Sequence, residues 1–160
     1  MNFRKIKNNE KEKVNKIYLE ASEHLKNLKI NQWQNNEIPK ITDMENIYVL
    51  LINDEIVATV KLMTYDNDYE NNNIWKFKNY LAVHRLGISN NYRGKGISKE
   101  LFKSIEEFAI NNGNDSIRID THEDNKTMQY LLDKYKYEYR GIIYLDSVGK
   151  RFAYEKSIKA

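Results

Sequence analysis

The apolar positions along the chain switch repeatedly between the two-residue period of a strand and the three-to-four-residue period of a helix. Alternating or continuous apolar runs predict strands at residues 3–7, 48–52, 56–63, 81–88, 117–121, 137–145 and 150–155. Apolar faces at helical spacing predict the main helices at residues 14–28, 97–109 and 128–135. The asparagine-rich stretch 65–73 has neither period, and it predicts a surface loop. The order of these elements predicts an α/β (α+β) protein with a mixed, mainly antiparallel central sheet and helices on both faces.

The predicted strand 81–88 changes parity along its length. Its apolar side chains stand at odd positions, Leu81 and Val83, and then at even positions, Leu86 and Ile88. Side chains of a strand point alternately to its two faces, so the change indicates either burial on both faces or an inserted residue that forms a β-bulge. The sequence leaves both alternatives open.

The composition is typical of a soluble globular domain. Of the 160 residues, 41% are hydrophobic and 31% are charged, and a chain of this length predicts one domain over residues 1–160. The longest uninterrupted apolar run, 47–52, is far too short to cross a bilayer. We therefore expect a cytoplasmic protein with no membrane partner.

Cysteine is absent from the chain, which excludes disulfide bonds, thiolate zinc sites and cysteine acyl-enzymes. We expect no metal site. The net charge is only +3, because 26 lysines and arginines are mixed with 23 acidic residues, and no basic block resembles a nucleic-acid-binding arm. Nucleic-acid binding would rest on twelve tyrosines and a slight basic excess, so we expect no nucleic-acid partner.

A glycine-bearing loop at 93–98 joins the strand 81–88 to the next helix. Unpaired N–H groups at a helix start, together with glycines that let a ligand approach the backbone, are typical of a phosphate site. An ATP-type loop would need glycine in place of Ser89 and Ser or Thr in place of Gly96. A dinucleotide fingerprint would need glycine in place of Lys99. Both of these phosphate loops are excluded by spacing.

The segment Arg93-Gly94-Lys95-Gly96-Ile97-Ser98 resembles the R/Q-x-x-G-x-G/A coenzyme A loop of the GCN5-related N-acetyltransferases, with Ser98 in place of the final Gly or Ala. The order of elements is similar to that family over nearly the whole chain. The resemblance implies acetyl-CoA as co-substrate and direct transfer of the acetyl group to an amine of a small molecule or peptide. It leaves a homodimer open.

The resemblance also implies roles for residues outside the loop. The backbone of Leu86, Gly87 and Ile88 would contact the acetyl carbonyl and the pantetheine arm. Asn125 would hydrogen-bond the pantetheine, although it is equally placed to be a helix N-cap. His84 lies two residues before Leu86, hence on the same face of a regular strand, and is either the proton relay or a satisfied core histidine. Asp120 and His122 are the next candidates for a base.

One position departs from the family pattern. Leu132 stands seven residues after Asn125, where the family usually has the tyrosine that protonates the leaving thiolate, and Lys136-Tyr137 replaces the Gly-Phe that follows. A thiol of pKa about 8.5 is a tolerable leaving group without an enzymic acid, so activity is still expected. The alternative is a catalytically weak acyl-CoA-binding sensor.

Aromatic side chains are the candidates for the acceptor site. Trp33 follows the first helix among amide side chains, and Tyr80 begins the central strand. Either is suited to line a small-molecule pocket, and Trp33 is equally suited to plug the core. The identity of the amine does not follow from these residues.

Overall fold

The computed structural model describes residues 1–41, 43–146 and 148–159. The strands are β1 (Asn2–Lys5), β2 (Ile47–Ile52), β3 (Glu55–Met63), β4 (Tyr80–Ile88), β5 (Ser116–Thr121), β6 (Glu138–Leu145) and β7 (Gly149–Ser157). The helices are α1 (Lys11–Asn27), the single turn α2 (Asn67–Glu70), α3 (Ile97–Asn111) and α4 (Lys126–Lys134), with short 3-10 helices at Asn8–Glu10, Asn35–Glu37 and Asn90–Tyr92. The predicted strands and main helices are thus confirmed, with ends shifted by a few residues.

The strands form a seven-stranded sheet in the order β1-β2-β3-β4-β5-β7-β6. The pairs β1–β2, β2–β3, β5–β7 and β6–β7 are antiparallel, whereas β4 and β5 are parallel. A parallel pair needs a crossover connection, and α3 lies between these two strands in the sequence. The predicted class, a mixed and mainly antiparallel sheet combined with helices, is confirmed.

The chain divides into two compact units. The first comprises Met1–Leu62 and His84–Ser104, and the second comprises Met63–Val83 and Ile105–Ala160. Each unit has an apolar core of its own. No helix within the described ranges is long and apolar enough to cross a bilayer. The prediction of a single domain stays a prediction.

The core of the first unit forms between α1 and the strands β2 and β3. Its buried members are Ile6, Val14, Ile17, Tyr18, Ile41, Ile47, Val49, Leu51 and Ile56. Gly87 lies against the same helix, because a Cβ built at this glycine would stand 3.2 Å from Cγ2 of Ile17. A larger residue at 87 would therefore push β4 away from α1.

The core of the second unit contains a residue from the stretch 65–73. Tyr69 is fully buried and lies on α2, where the side chain of Asp66 caps the helix by accepting a hydrogen bond from the Tyr69 backbone N–H at 2.8 Å. The prediction of a plain surface loop is wrong here. The asparagine-rich pattern concealed a capped helical turn, although Asp66 three residues before Tyr69 was a capping signal in the sequence.

A buried carboxylate holds the segment before β4 in place. Glu155 on β7 is fully buried, and its oxygens accept hydrogen bonds from the backbone N–H of Lys76 at 2.9 Å, the hydroxyl of Ser116 at 3.1 Å and Nε of Arg140 at 2.9 Å. Arg118 lies 3.7 Å from the same carboxylate. A buried charge with this many donors is compensated, so the cluster fixes the entry into β4.

Candidate functional site

Strand β4 changes character at Arg85. Residues Tyr80–Val83 are buried and pair in parallel with Ser116–Ile119 of β5. Arg85 is exposed and has a left-handed backbone with φ 53°, the conformation of an inserted residue in a bulge. Both alternatives inferred from the parity change therefore hold, each for a different part of the strand.

The bulge changes the argument for His84. The sequence argument put His84 and Leu86 on one face because they are two residues apart, but Arg85 lies between them outside the regular strand conformation. The two-residue spacing therefore does not by itself place both side chains on one face. His84 is half-buried, and its role as the proton relay stays a prediction.

The glycine loop precedes α3 and is open on its outer side. Gly94 and Gly96 have φ 74° and 79°, and a Cβ built at either position would meet nothing within 4 Å. Helix α3 then begins at Ile97, whose side chain is buried, while that of Ser98 is half-buried. The first N–H groups of an α-helix have no partner within the helix, so an anion can bind beside the two glycines.

Hydrogen bonds from neighbouring residues fix the start of the loop. Arg93 donates from Nε to Oδ1 of Asn90 at 2.9 Å, and the backbone N–H of Asn90 donates to Oε1 of Glu20 on α1 at 3.2 Å. Burial lowers the pKa of Arg93. Lys95 is exposed, and its Nζ lies 5.7 Å from the centre of the Tyr92 ring. The loop thus has a fixed start and a cation at its tip.

Asn125 is the N-cap of α4. Its side chain is buried, and Oδ1 accepts a hydrogen bond from the backbone N–H of Met128 at 3.1 Å. The capping alternative is therefore confirmed, and contact with the pantetheine stays a prediction.

Two candidate bases lie at the end of β5. Asp120 is half-buried, and its Oδ2 accepts a hydrogen bond from the hydroxyl of Tyr69 at 2.5 Å. His122 accepts a hydrogen bond at Nδ1 from the backbone N–H of Asp124 at 3.0 Å. An accepting Nδ1 carries no proton, so the neutral ring of His122 is the Nε2–H tautomer.

The position of the missing tyrosine belongs to the core. Leu132 is fully buried, and Tyr137, five residues later, is 3% exposed. Burial raises the pKa of Tyr137 far above its usual range, and the charge of Glu106 acts in the same direction. Tyr137 is thus a neutral side chain in the buried interior.

Trp33 and Tyr80 have structural contacts. Trp33 is half-buried against the core of the first unit, with its ring centre 5.7 Å from that of Tyr18. Tyr80 is 3% exposed; its hydroxyl donates to Glu70 at 3.0 Å, and its ring lies 3.7 Å from the guanidinium of Arg118. Tyr80 is therefore buried in the core, and acceptor contact by Tyr80 or Trp33 stays a prediction.

Proteins of known structure share this fold. A GNAT-family acetyltransferase from Streptococcus agalactiae is 24% identical, with a TM-score of 0.82 over 99% of this chain and 96% of its own. The ribosomal-protein-alanine N-acetyltransferase from Brucella melitensis is 16% identical, with a TM-score of 0.71 over 99% and 100% of the two chains. The ribosomal-protein-S18-alanine N-acetyltransferase from Escherichia coli is 10% identical, with a TM-score of 0.67 over 99% and 94%. At these identities the likeness establishes the fold alone.

The sequence itself matches a family profile. No curated protein sequence matches the chain significantly. The profile of the acetyltransferase (GNAT) family, however, matches residues 11–137, a span that includes α1, the bulged strand, the glycine loop and α4. The resemblance drawn from the loop is confirmed, and the chain belongs to the GNAT family of acetyltransferases.

Proposed function

We propose that this protein is an acetyl-CoA-dependent N-acetyltransferase that acetylates an amine of a small molecule or peptide in the cytoplasm. The observation that carries the proposal is the open loop before α3, where two left-handed glycines leave room next to the positive end of a helix. An anionic pyrophosphate fits this chemistry, because it requires N–H donors and no side chain in its way.

Residues on several elements would hold the donor. The backbone of residues 93–98 would bind the pyrophosphate, with the cation of Lys95 at the loop tip. Backbone groups of Leu86, Gly87 and Ile88 would bind the acetyl carbonyl and the pantetheine arm, and the amide of Asn125 would bind the same arm. Acetyl-CoA would supply the activated thioester, and coenzyme A would leave as the thiol.

The reaction then requires two proton transfers. An alkyl ammonium has a pKa near 10, so the acceptor loses a proton before its nitrogen attacks the carbonyl carbon. In this proposal His84 takes that proton, since a neutral imidazole nitrogen can act as a general base. The backbone N–H of Leu86 would stabilise the negative charge that develops on the carbonyl oxygen. The buried Leu132 provides no acid, so water would protonate the thiolate.

The acceptor class is the open part of the proposal. Two structural neighbours are named as N-acetyltransferases of ribosomal-protein alanine. A peptide beginning with alanine therefore belongs in an acceptor panel beside simple alkyl amines, amino acids and polyamines.

Release of free thiol from acetyl-CoA, measured over this panel, tests the proposal. An acetyltransferase gives amine-dependent release and an acetylated product of the expected mass. Binding of acetyl-CoA without release for any amine would overturn the proposal and favour the acyl-CoA sensor that the loss of the family tyrosine allows.

A further inference from the structure

Two residues of β3 hold the segment between β4 and the glycine loop. The backbone N–H of Ser89 donates to the carbonyl oxygen of Val57 at 2.9 Å. Three residues later, the hydroxyl of Tyr92 donates to Oε2 of Glu55 at 2.6 Å. All four residues belong to the first compact unit. The 3-10 helix Asn90–Tyr92 is therefore hydrogen-bonded to β3 just before its start and at its last residue.

Glu55 is carried by a tight hairpin. It pairs with Ile52 across the two-residue turn Asn53-Asp54 that joins β2 to β3. Both turn residues have positive φ, 50° and 65°, which type I′ hairpin turns require. The hydrogen bond to the Glu55 carboxylate raises the pKa of Tyr92, so the phenol keeps the proton that it donates. The backbone that carries this carboxylate is a fixed reference for the loop.

Tyr92 in turn contacts Lys95 in two ways. Its carbonyl oxygen accepts a hydrogen bond from the backbone N–H of Lys95 at 3.3 Å. Its ring centre lies 5.7 Å from Nζ of the same lysine, and a cation within about 6 Å of an aromatic ring is attracted to it. Tyr92 therefore restrains both the backbone and the ammonium group of Lys95.

The position of Lys95 gives these contacts a consequence for an anion. Lys95 is exposed and lies between Gly94 and Gly96, the two left-handed glycines of the loop. A lysine side chain has many rotamers, and fixing it on a ligand costs conformational entropy. A ring that already restricts the ammonium group lowers this cost, because the side chain is partly ordered before the ligand arrives.

We propose that Tyr92 is a positioning residue for coenzyme A, which is anchored to Glu55 by its hydroxyl and holds the ammonium group of Lys95 for the pyrophosphate. This inference rests on the proposed function. It concerns binding alone, and no covalent bond forms or breaks. Glu55 acts only through Tyr92.

Calorimetric titration of coenzyme A into two Tyr92 variants tests the hydroxyl and the ring separately. Tyr92→Phe removes the bond to Glu55 and keeps the ring beside Lys95, whereas Tyr92→Leu removes both. We expect the Kd to rise about threefold to tenfold in Tyr92→Phe, as for the loss of one hydrogen bond, and further in Tyr92→Leu. Tyr48→Phe, on β2 of the same unit, is the matched control and should change the Kd less than about twofold.

Variants of Glu55 distinguish the hydrogen bond from the charge. Glu55→Gln removes the negative charge but keeps an oxygen that can accept from Tyr92, so binding should not weaken. Glu55→Leu removes the acceptor and should raise the Kd as Tyr92→Phe does. The double variant Glu55→Leu/Tyr92→Phe should bind no more weakly than either single variant, because both substitutions remove the same bond.

Amide hydrogen exchange of the protein without ligand gives an independent measurement. The Lys95 N–H bonds to the carbonyl oxygen of Tyr92, so its exchange should become severalfold faster in Tyr92→Phe and in Glu55→Leu. Glu55→Gln should exchange like wild type. A general loss of stability would instead raise exchange throughout the unit and lower the melting temperature.

The outcomes separate this inference from the function beneath it. A wild-type protein that does not bind coenzyme A overturns both. A wild-type protein that binds, with folded Tyr92→Phe and Glu55→Leu variants of unchanged Kd, overturns the anchoring role of the hydroxyl alone. Additive losses in the double variant would contradict action through one bond, and equal Kd values for Tyr92→Phe and Tyr92→Leu would overturn the role of the ring. If a Tyr92 variant does not fold, the comparison of Glu55→Leu with Glu55→Gln decides the proposal.

Discussion

The backbone N–H of Tyr137 donates to the carbonyl oxygen of Leu132 at 2.9 Å and closes the C-terminus of α4. The N–H of Lys136 donates to Asp133 at 3.0 Å, so the two bonds form a Schellman motif around Lys136, whose φ is 69°. Glycine normally occupies this left-handed position, and a lysine there is strained by about 1 kcal/mol.

Lys136→Gly should therefore stabilise the protein by about 1 kcal/mol in urea denaturation. Lys134→Gly, within the last turn of α4, is the control and should destabilise by about 1 kcal/mol, because glycine is a poor helix former. Equal losses in both variants would show that the Lys136 backbone is not strained.

We expect that replacing Leu132 with the tyrosine usual in the family lowers the stability of the protein. The side chain is fully buried, so Leu132→Tyr must force a larger, polar group into a packed core at a loss of about 1–3 kcal/mol. Turnover should not rise. A variant of unchanged stability and higher kcat would place residue 132 at the thiolate.

The Arg4–Glu10 pair makes stability depend on acid pH. The hydrogen bond from Arg4 lowers the pKa of Glu10 to about 2, and the two groups lie 2.8 Å apart. Because this pKa is depressed, the stabilisation is complete above the unfolded-state pKa of about 4.3 and is lost as the pH falls towards 2.

Arg4→Gln should cost about 2 kcal/mol at pH 7 and flatten the loss of stability between about pH 5 and 2. Lys5→Gln is the control, since it removes a charge from the same strand without touching Glu10. If the stabilities of the two variants had the same pH dependence, the Arg4–Glu10 pair would make no contribution to the free energy of unfolding.

The helices and strands could be predicted from the sequence because each one leaves a periodic pattern of apolar residues within its own segment. The helical spacing from Val14 onward and the parity change around Arg85 each correspond to a feature of the structure. The burial of Tyr69 was not predictable, because it depends on a contact with Asp120, 51 residues away in the chain. Local patterns encode period and capping, whereas long-range partners decide which polar stretch is buried.

The candidate site likewise has parts that the sequence predicts and parts that it does not. The loop at 93–98 is a local motif, and α3 begins at Ile97 within it, as the sequence predicts. From the sequence, Asn125 could be either a ligand of the pantetheine or a helix N-cap. Only the hydrogen bond that it accepts from the backbone N–H of Met128 established the cap. Glu155, with donors from three separate segments, had no signal in its own neighbourhood.

His84→Ala should lower the rate at neutral pH by about ten- to a thousandfold and remove the acid limb of the pH–rate profile. Affinity for coenzyme A should stay within about twofold. His24→Ala, which removes a histidine of α1 in the same unit, is the control and should leave the limb in place. An acid limb that survives His84→Ala would assign His84 to packing and leave Asp120 and His122 as candidates.

The most direct measurement is calorimetric titration of coenzyme A into two matched glycine variants. Gly96→Glu and Gly113→Glu introduce the same side chain at φ 79° and 75°, and neither glycine has an atom within 4 Å of its built Cβ. The backbone strain is therefore alike, but only Gly96 lies in the loop before α3, whereas Gly113 follows that helix. The account predicts that Gly96→Glu weakens coenzyme A binding a hundredfold or more, about 3 kcal/mol, through charge repulsion and lost room, while Gly113→Glu binds like the parent. A folded Gly96→Glu variant that binds coenzyme A as tightly as Gly113→Glu would contradict it.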